Sequence, residues 1–191
     1  MLRHKSTTLL SLLLRINLSA APKPQIERLK LGFITFLGIY GFFGALDPGY
    51  EGVFGFLHGV DLIFHEAGHV LFAPLGEFIG FLGGSLNQIL IPAGITAYFV
   101  YTCQYFASAI ALFWTAQSFM DVSVYIKDAQ AQSLPLIGGE HDWAYLLGPL
   151  NLLEQDQAIG NFVYLIGFIL YLLAMFIGFY HALGKGELRR D

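Results

Sequence analysis

Charged residues are scarce in this sequence. They make up 13% of its 191 residues, against about 25% in soluble domains. The chain has one cysteine, Cys103, which excludes a disulfide scaffold, and its 55% hydrophobic content excludes intrinsic disorder. With 10 Lys and Arg against 14 Asp and Glu, no basic face remains to meet phosphate, so we expect no nucleic-acid partner.

Long stretches without charge dominate the middle of the chain. Residues 78–120 contain no Asp, Glu, Lys or Arg, and a water-facing fold does not accommodate such a run. A helix that crosses a bilayer needs roughly 20 mainly apolar residues. We therefore predict an integral membrane protein in a lipid bilayer, with an all-α fold: a polytopic membrane helix bundle of about five to six transmembrane segments. The candidate segments are residues 31–46, 53–75, 86–101, 105–127 and 157–180.

The charge pattern divides the chain into three parts. Residues 1–30 are basic, and we interpret them as an amphipathic helix on the membrane surface; a secretory signal is the alternative, but the apolar stretch is short for one. Residues 31–183 form a single transmembrane metallo-domain with a polar loop at 129–156, and residues 184–191 form a polar tail. Basic residues at both ends place both in the cytoplasm, which requires an even number of crossings and leaves the topology open.

One motif carries recognisable chemistry. Residues 65–69 read His-Glu-Ala-Gly-His. Positions i and i+4 of a helix lie on one face, about 6 Å apart, so His65 and His69 can bind one metal ion. Glu66 is then placed to take a proton from a metal-activated water molecule. We predict Zn²⁺ as the cofactor, the two histidines as its ligands and Glu66 as the catalytic base.

The motif belongs to a longer polar stripe. His58, Asp61, His65 and His69 follow one another at steps of three, four and four. Ionisable groups inside a membrane helix cost roughly 2.5–3.5 kcal/mol each on insertion scales, and metal coordination offsets that cost by replacing lost hydration. One turn before His65, Asp61 could accept the second ring N–H of that histidine; the alternative is an ordinary carboxylate at the membrane interface. The alternative is a stripe that lines a water-filled pore in a small transporter or channel, which needs no metal.

The third metal ligand must come from another part of the chain, because catalytic zinc takes three protein ligands and keeps a fourth position open. The segment 105–127 ends close to Asp121 and Asp128, and the polar loop offers His141 followed by Asp142. Asp128 and His141 are the leading candidates for the third ligand, with Asp121 and Asp142 behind them.

The motif and the apolar run that follows it, residues 70–76, resemble the site-2-protease class of intramembrane zinc metalloproteases. The resemblance covers about 30 residues and implies that His65 and His69 bind zinc, that Glu66 activates water, and that an aspartate on a later helix completes the site. In that class the aspartate stands in a Leu-Asp-Gly context, and this sequence contains no such tripeptide. The third ligand therefore stays open between the candidates above.

Two further segments resemble a bacterial membrane family of unknown function that shares the His-Glu motif. They are residues 125–129 and 134–143. This second resemblance implies no activity, and it agrees with a location in a bacterial cell (inner) membrane.

These observations favour an intramembrane zinc metalloprotease-like protein that hydrolyses a peptide bond of another membrane protein. Residues 83–84, a Gly-Gly pair, are expected to break the chain, and the substrate helix would be locally unwound beside them. The alternative is a non-catalytic metal-binding membrane protein, or a structural subunit that binds transmembrane partners. It needs the same histidines but not the carboxylate of Glu66.

Overall fold

The computed structural model describes residues 27–137 and 139–185, and within them the chain is helical with no strand. The α-helices are α1 (Arg28–Leu46), α2 (Gly55–Phe72), α3 (Glu77–Tyr101), α4 (Tyr105–Lys127), α5 (Asp142–Leu147) and α6 (Asp156–Ala182). Short 3₁₀ turns at Ala73–Leu75 and Leu153–Gln155 precede α3 and α6. The amphipathic helix predicted for the N-terminal segment falls almost entirely on residues 1–26, outside the described residues, as does most of the predicted C-terminal tail.

Four helices are long and apolar enough to cross a membrane: α1, α3, α4, and the run Leu153–Ala182 that contains α6. This confirms the all-helical class and apolar helices compatible with a membrane, whereas the count of five to six crossings stays a prediction. The helix α2 carries the polar stripe and is not among the four. Its histidines and its two acidic residues lower its mean hydropathy. The predicted segment 105–127 coincides with α4.

The expected break at the Gly-Gly pair is wrong. Gly83 and Gly84 lie inside α3, which begins at Glu77 and runs without interruption to Tyr101. Glycine in a helix interior costs roughly 0.5–1 kcal/mol relative to alanine, but here both glycines are buried against α2. A Cβ on Gly83 would lie 2.6 Å from the Cβ of Phe72. Close helix packing therefore outweighs the local preference of the pair to end a helix.

The helix α4 forms the centre of the bundle, packed along α6 on one side and against α3 on the other. Glycines of α6 make the α4–α6 contact close: a Cβ on Gly167 would lie 2.7 Å from the carbonyl oxygen of Ala116. Small residues at such contacts let helix backbones approach each other. The helix α1 packs on α6, where the Tyr171 hydroxyl donates to the Gly38 carbonyl at 2.6 Å.

The polarity of α2 is reversed relative to a surface helix of a water-soluble protein. Large apolar side chains on the outer side of α2, among them Ile63, Val70 and Leu71, are exposed, whereas Asp61 and His65 on the same helix are buried. A soluble amphipathic helix turns its apolar stripe to the core. On α2 the reversed arrangement fits apolar surroundings, and it places the functional side chains inside the bundle.

The packing of α4 on α6 can be tested at Gly167. Gly167→Ala should lower the free energy of unfolding by about 1–3 kcal/mol, because overpacking against Ala116 exceeds the gain of about 1 kcal/mol in helix propensity. Gly32→Ala is the matched control, since nothing lies within 4 Å of the new Cβ, and it should not destabilise. Unfolding in detergent micelles, followed by circular dichroism, measures both. Equal effects of the two substitutions would contradict the proposed contact.

Candidate metal centre

Three titratable side chains from two separate elements meet in one place. His65 and His69 project from the same face of α2, and Asp142 is the first residue of α5. Their possible ligand atoms all lie within 4.8 Å of one another, so that the cluster could hold a metal ion. Both Nε2 atoms approach the same carboxylate oxygen: Oδ2 of Asp142 lies 2.9 Å from His65 and 3.1 Å from His69.

Two of the three separations between donor atoms are close to those around a small divalent cation. A tetrahedral zinc ion with bonds of roughly 2.0–2.1 Å has its ligand atoms about 3.3 Å apart, and the two nitrogen–oxygen separations are 2.9 and 3.1 Å. Two imidazole nitrogens and one carboxylate oxygen form a donor set known from catalytic zinc sites. His65 and Asp142 are buried and His69 is half-buried. The residues therefore fit a metal ion that keeps one side open.

The far ring nitrogens of both histidines also have partners. Nδ1 of His65 lies 3.2 Å from Oε1 of Gln88, and Nδ1 of His69 lies 2.9 Å from the carbonyl oxygen of Gly80. An acceptor at the far nitrogen fixes the tautomer and the orientation of a metal-binding imidazole. Both rings are thus held so that Nε2 faces Asp142.

Asp61 is not the outer partner of His65 that the sequence spacing led us to expect. Its Oδ1 accepts hydrogen bonds from the Trp114 indole at 2.7 Å and from the Ser118 hydroxyl at 3.4 Å. Both donors lie on α4, so Asp61 ties α2 to α4 instead of serving the motif. Gln88 is the partner of Nδ1 of His65 instead. In the sequence, Gln88 is a side-chain amide inside a long run without charged residues. Such a placement is costly in a membrane and indicates a buried hydrogen-bond partner.

A glycine of α3 lies against both motif imidazoles. A Cβ on Gly84 would lie 2.6 Å from Nε2 of His69 and 2.7 Å from Nε2 of His65. Gly68, inside the motif, faces the backbone carbonyl of Gly83 in the same close contact between α2 and α3. The two helices can lie this close only because these positions carry no side chain.

Local contacts hold Asp142 over the histidines. Its backbone N–H donates to the Tyr125 hydroxyl at 3.2 Å, and the indole of Trp143 donates to the Ser85 hydroxyl at 3.1 Å. His141 caps the start of α5, since its Nδ1 accepts from the backbone N–H of Ala144 at 3.3 Å. The short helix is therefore attached to α3 and α4, on which the rest of the site is built.

The two leading candidates for the third ligand contact each other and not the motif. Nε2 of His141 lies 3.3 Å from Oδ2 of Asp128. The Asp128 carboxylate also accepts from the backbone N–H groups of Ser133 and Leu134, at 2.9 and 3.0 Å. This pair closes the loop that precedes α5. Asp142, which the sequence ranked lower, is the carboxylate that the structure brings to the two histidines.

The fourth candidate, Asp121, occupies a separate position. Its Oδ1 lies 3.0 Å from Nδ1 of His58, and its Oδ2 accepts from the Gln88 amide at 2.7 Å. It is therefore two hydrogen bonds removed from the motif, through Gln88.

The charge state of Asp142 suits a ligand. Burial by itself raises the pKa of its carboxyl, but hydrogen bonds with His65 and His69 outweigh burial and hold the pKa below its usual value. The anionic form, which is the form that binds a metal ion, is thereby favoured.

Glu66 is exposed and lines two cavities that meet at the site, of about 690 and 530 Å³. The larger reaches the loop between α1 and α2 and is also lined by His58 and Asp121. The smaller lies between the start of α3 and the loop before α5, beside Phe81 and Ile137. The carboxylate of Glu66 is therefore accessible to water and to a second reactant next to His65.

Comparisons with protein-family models, with curated proteins and with solved structures find no match to this chain.

The close contact of Gly84 with both imidazoles gives a first test of the centre. Gly84→Ala should lower zinc affinity by at least about tenfold, because the new Cβ must displace both imidazoles from the positions that their outer partners hold. Gly94→Ala on the same helix is the matched control, since nothing lies within 4 Å of its Cβ. Competition with a chromophoric chelator measures zinc affinity in both purified variants. An unchanged affinity in Gly84→Ala would show that zinc binds elsewhere.

The identity of the third ligand gives a second test. Asp142→Ala should weaken zinc binding by more than the 10–100-fold that is typical for loss of an outer partner, because it removes a donor atom. Asp156→Asn is the control: Asp156 is equally buried, but its carboxylate accepts from the backbone of Gln130 and Gln157. If His141→Ala abolished binding and Asp142→Ala did not, the sequence-based ranking would stand and the cluster would be misassigned.

Proposed function

We propose that this chain is an intramembrane zinc metallopeptidase, with His65, His69 and Asp142 as metal ligands and Glu66 as the general base. The observation that supports the proposal most is the approach of two Nε2 atoms to one carboxylate oxygen, 2.9 and 3.1 Å away, inside an apolar helix bundle. The presence of Glu66 next to His65, on the open side of the cluster, adds the group that hydrolysis requires. The bacterial inner membrane is the location that we propose.

The residues divide the chemistry between them. When bound, zinc supplies Lewis acidity, which polarises a carbonyl group and acidifies a water molecule. His65, His69 and Asp142 provide the donor atoms and leave one side of the cluster open towards Glu66. The Glu66 carboxylate accepts a proton from the attacking water and passes it to the departing amine. Tyr125, which lines both cavities, borders the space where the peptide must lie.

The substrate class follows from where the cavities lie. Both are bounded by helices whose outer surfaces are apolar, so a segment of another membrane protein is the substrate that we propose. Gly83 and Gly84 are covered by Phe72, Gly68 and the two imidazoles, so they offer no unwound strip for that segment. The smaller cavity, beside Phe81 and Ile137, is the route that stays open to it.

Replacement of the base separates catalysis from metal binding. Glu66→Gln should retain zinc and lose about 10²–10⁴-fold in hydrolysis, the range typical for a general acid–base group. Glu77→Gln is the matched control, because Glu77 is also exposed and lines the smaller cavity. A library of transmembrane peptides reconstituted with the purified protein in vesicles, analysed by mass spectrometry, measures cleavage, and zinc content is measured in parallel.

The same experiment addresses the non-catalytic alternative. Cleavage that is absent in wild-type protein with full zinc content would favour a metal-binding partner of transmembrane helices. Cleavage that survives in Glu66→Gln would exclude this carboxylate as the base.

A further inference from the structure

A line of hydrogen bonds leads from the metal cluster into the interior of the bundle. Nδ1 of His65 lies 3.2 Å from Oε1 of Gln88, the Gln88 amide donates to Oδ2 of Asp121 at 2.7 Å, and Oδ1 of Asp121 lies 3.0 Å from Nδ1 of His58. Gln88 and Asp121 are 3% and 4% exposed. Both side chains are therefore almost fully enclosed, and protein groups are their hydrogen-bond partners.

The carboxylate fixes the direction of this line. An ionised Asp121 only accepts hydrogen bonds, whereas a side-chain amide donates at one end and accepts at the other. Gln88 must turn its NH₂ group to Asp121, and its carbonyl oxygen is then the atom that faces His65. Nδ1 of His65 must consequently carry a proton. Nε2, 2.9 Å from Oδ2 of Asp142, is then the nitrogen that faces the carboxylate and the metal position.

The two motif histidines differ in how this state is obtained. The acceptor for Nδ1 of His69 is the backbone carbonyl of Gly80. A carbonyl oxygen can accept hydrogen bonds but cannot donate them. The acceptor for His65 is an amide, which would donate instead if it were rotated by half a turn. His65 therefore depends on a second residue that decides the orientation of Gln88, and His69 does not.

Asp121 is itself held in place on its other side. His58 binds its Oδ1 and stacks on Tyr50, with ring centroids 3.7 Å apart and planes 10° from parallel. Both carboxylate oxygens are thus engaged by residues of other helices or loops, so the carboxylate cannot rotate away from Gln88 without the loss of two hydrogen bonds.

We propose that Asp121 is a positioning residue of the metal centre: acting through Gln88, it keeps a proton on Nδ1 of His65 and thereby leaves Nε2 as the nitrogen that binds the metal ion. The inference rests on the proposed metal-binding function, but its main prediction concerns the protein before any ion binds.

The test exchanges the roles of the two partners. Gln88→Met removes the acceptor and should lower zinc affinity by about 10–100-fold, with a mixture of tautomers at His65. Gln88→Glu alone places a second carboxylate next to that of Asp121, and their repulsion should also weaken zinc binding. Combined with Asp121→Asn, it restores one donor and one acceptor in exchanged positions, and zinc affinity should return to within about threefold of wild type.

Two readouts follow each variant in detergent. The ¹⁵N chemical shifts of the His65 ring, assigned by comparison with His65→Gln, report whether Nδ1 carries a proton in metal-free protein, and chelator competition reports zinc affinity. Asn87→Leu is the matched control: it removes a buried amide from the adjacent position, where the amide donates to the Phe64 carbonyl, and it should leave the His65 tautomer unchanged.

The outcomes separate this inference from the proposed function. A wild-type His65 without a proton on Nδ1, or a double variant that stays as weak as Gln88→Glu, would overturn the positioning role even if zinc binds. Failure of wild-type protein to bind zinc would overturn the proposed function, while the ¹⁵N shifts would still decide the tautomer. If Gln88→Met does not fold, the wild-type shifts and the exchanged pair carry the test.

Discussion

The oxygen atom that two imidazoles share at Asp142 is the contact on which the rest of the site depends. It joins α2 to the short helix α5, and it lies where polar groups are costly unless they find partners. Each of the three side chains reduces that cost for the other two, because the carboxylate meets both Nε2 atoms at 2.9 and 3.1 Å. The same geometry that satisfies these groups collects three donor atoms around one point, so stability and ligand geometry have a common origin.

Helix packing supplies the second condition. The histidines can lie over α3 only because Gly68, Gly83 and Gly84 carry no Cβ at the crossing with α2. The motif thus contributes more than its ligands, since its glycine sets the distance between the two helices. On the other side of the bundle, Asp61 bonds to Trp114 of α4 and holds α2 from a second direction. The imidazoles are therefore placed by backbone contacts and not by their own hydrogen bonds alone.

Much of the fold could be predicted from the sequence, and the reasons for success and failure are physical. The limits of α4 are confirmed at Tyr105–Lys127, because polar residues bound an apolar run at both ends. The predicted start of α3 at residue 86 was wrong, since the helix begins at Glu77. The prediction relied on the local tendency of Gly83 and Gly84 to end a helix, whereas their packing partners on α2 are more distant in the chain. The spacing within residues 65–69 put two histidines on one face, whereas nothing local indicated which loop residue would join them.

The selection of Asp142 over its neighbours follows from what each acidic or imidazole group already binds. Both oxygens of Asp128 accept backbone N–H groups of the loop, and His141 adds a contact to the same carboxylate. To serve as ligands, these groups would have to release the loop that carries α5. His141 is the N-cap of α5 and has an extended backbone, and its imidazole lies 3.3 Å from Asp128, whereas Asp142 is the first helical residue and reaches the motif histidines. One therefore closes the loop towards Asp128, and the other turns to the histidines. The different roles of these adjacent residues depend on contacts with residues that are distant in the sequence. Sequence spacing could therefore name the candidate ligands but could not choose among them.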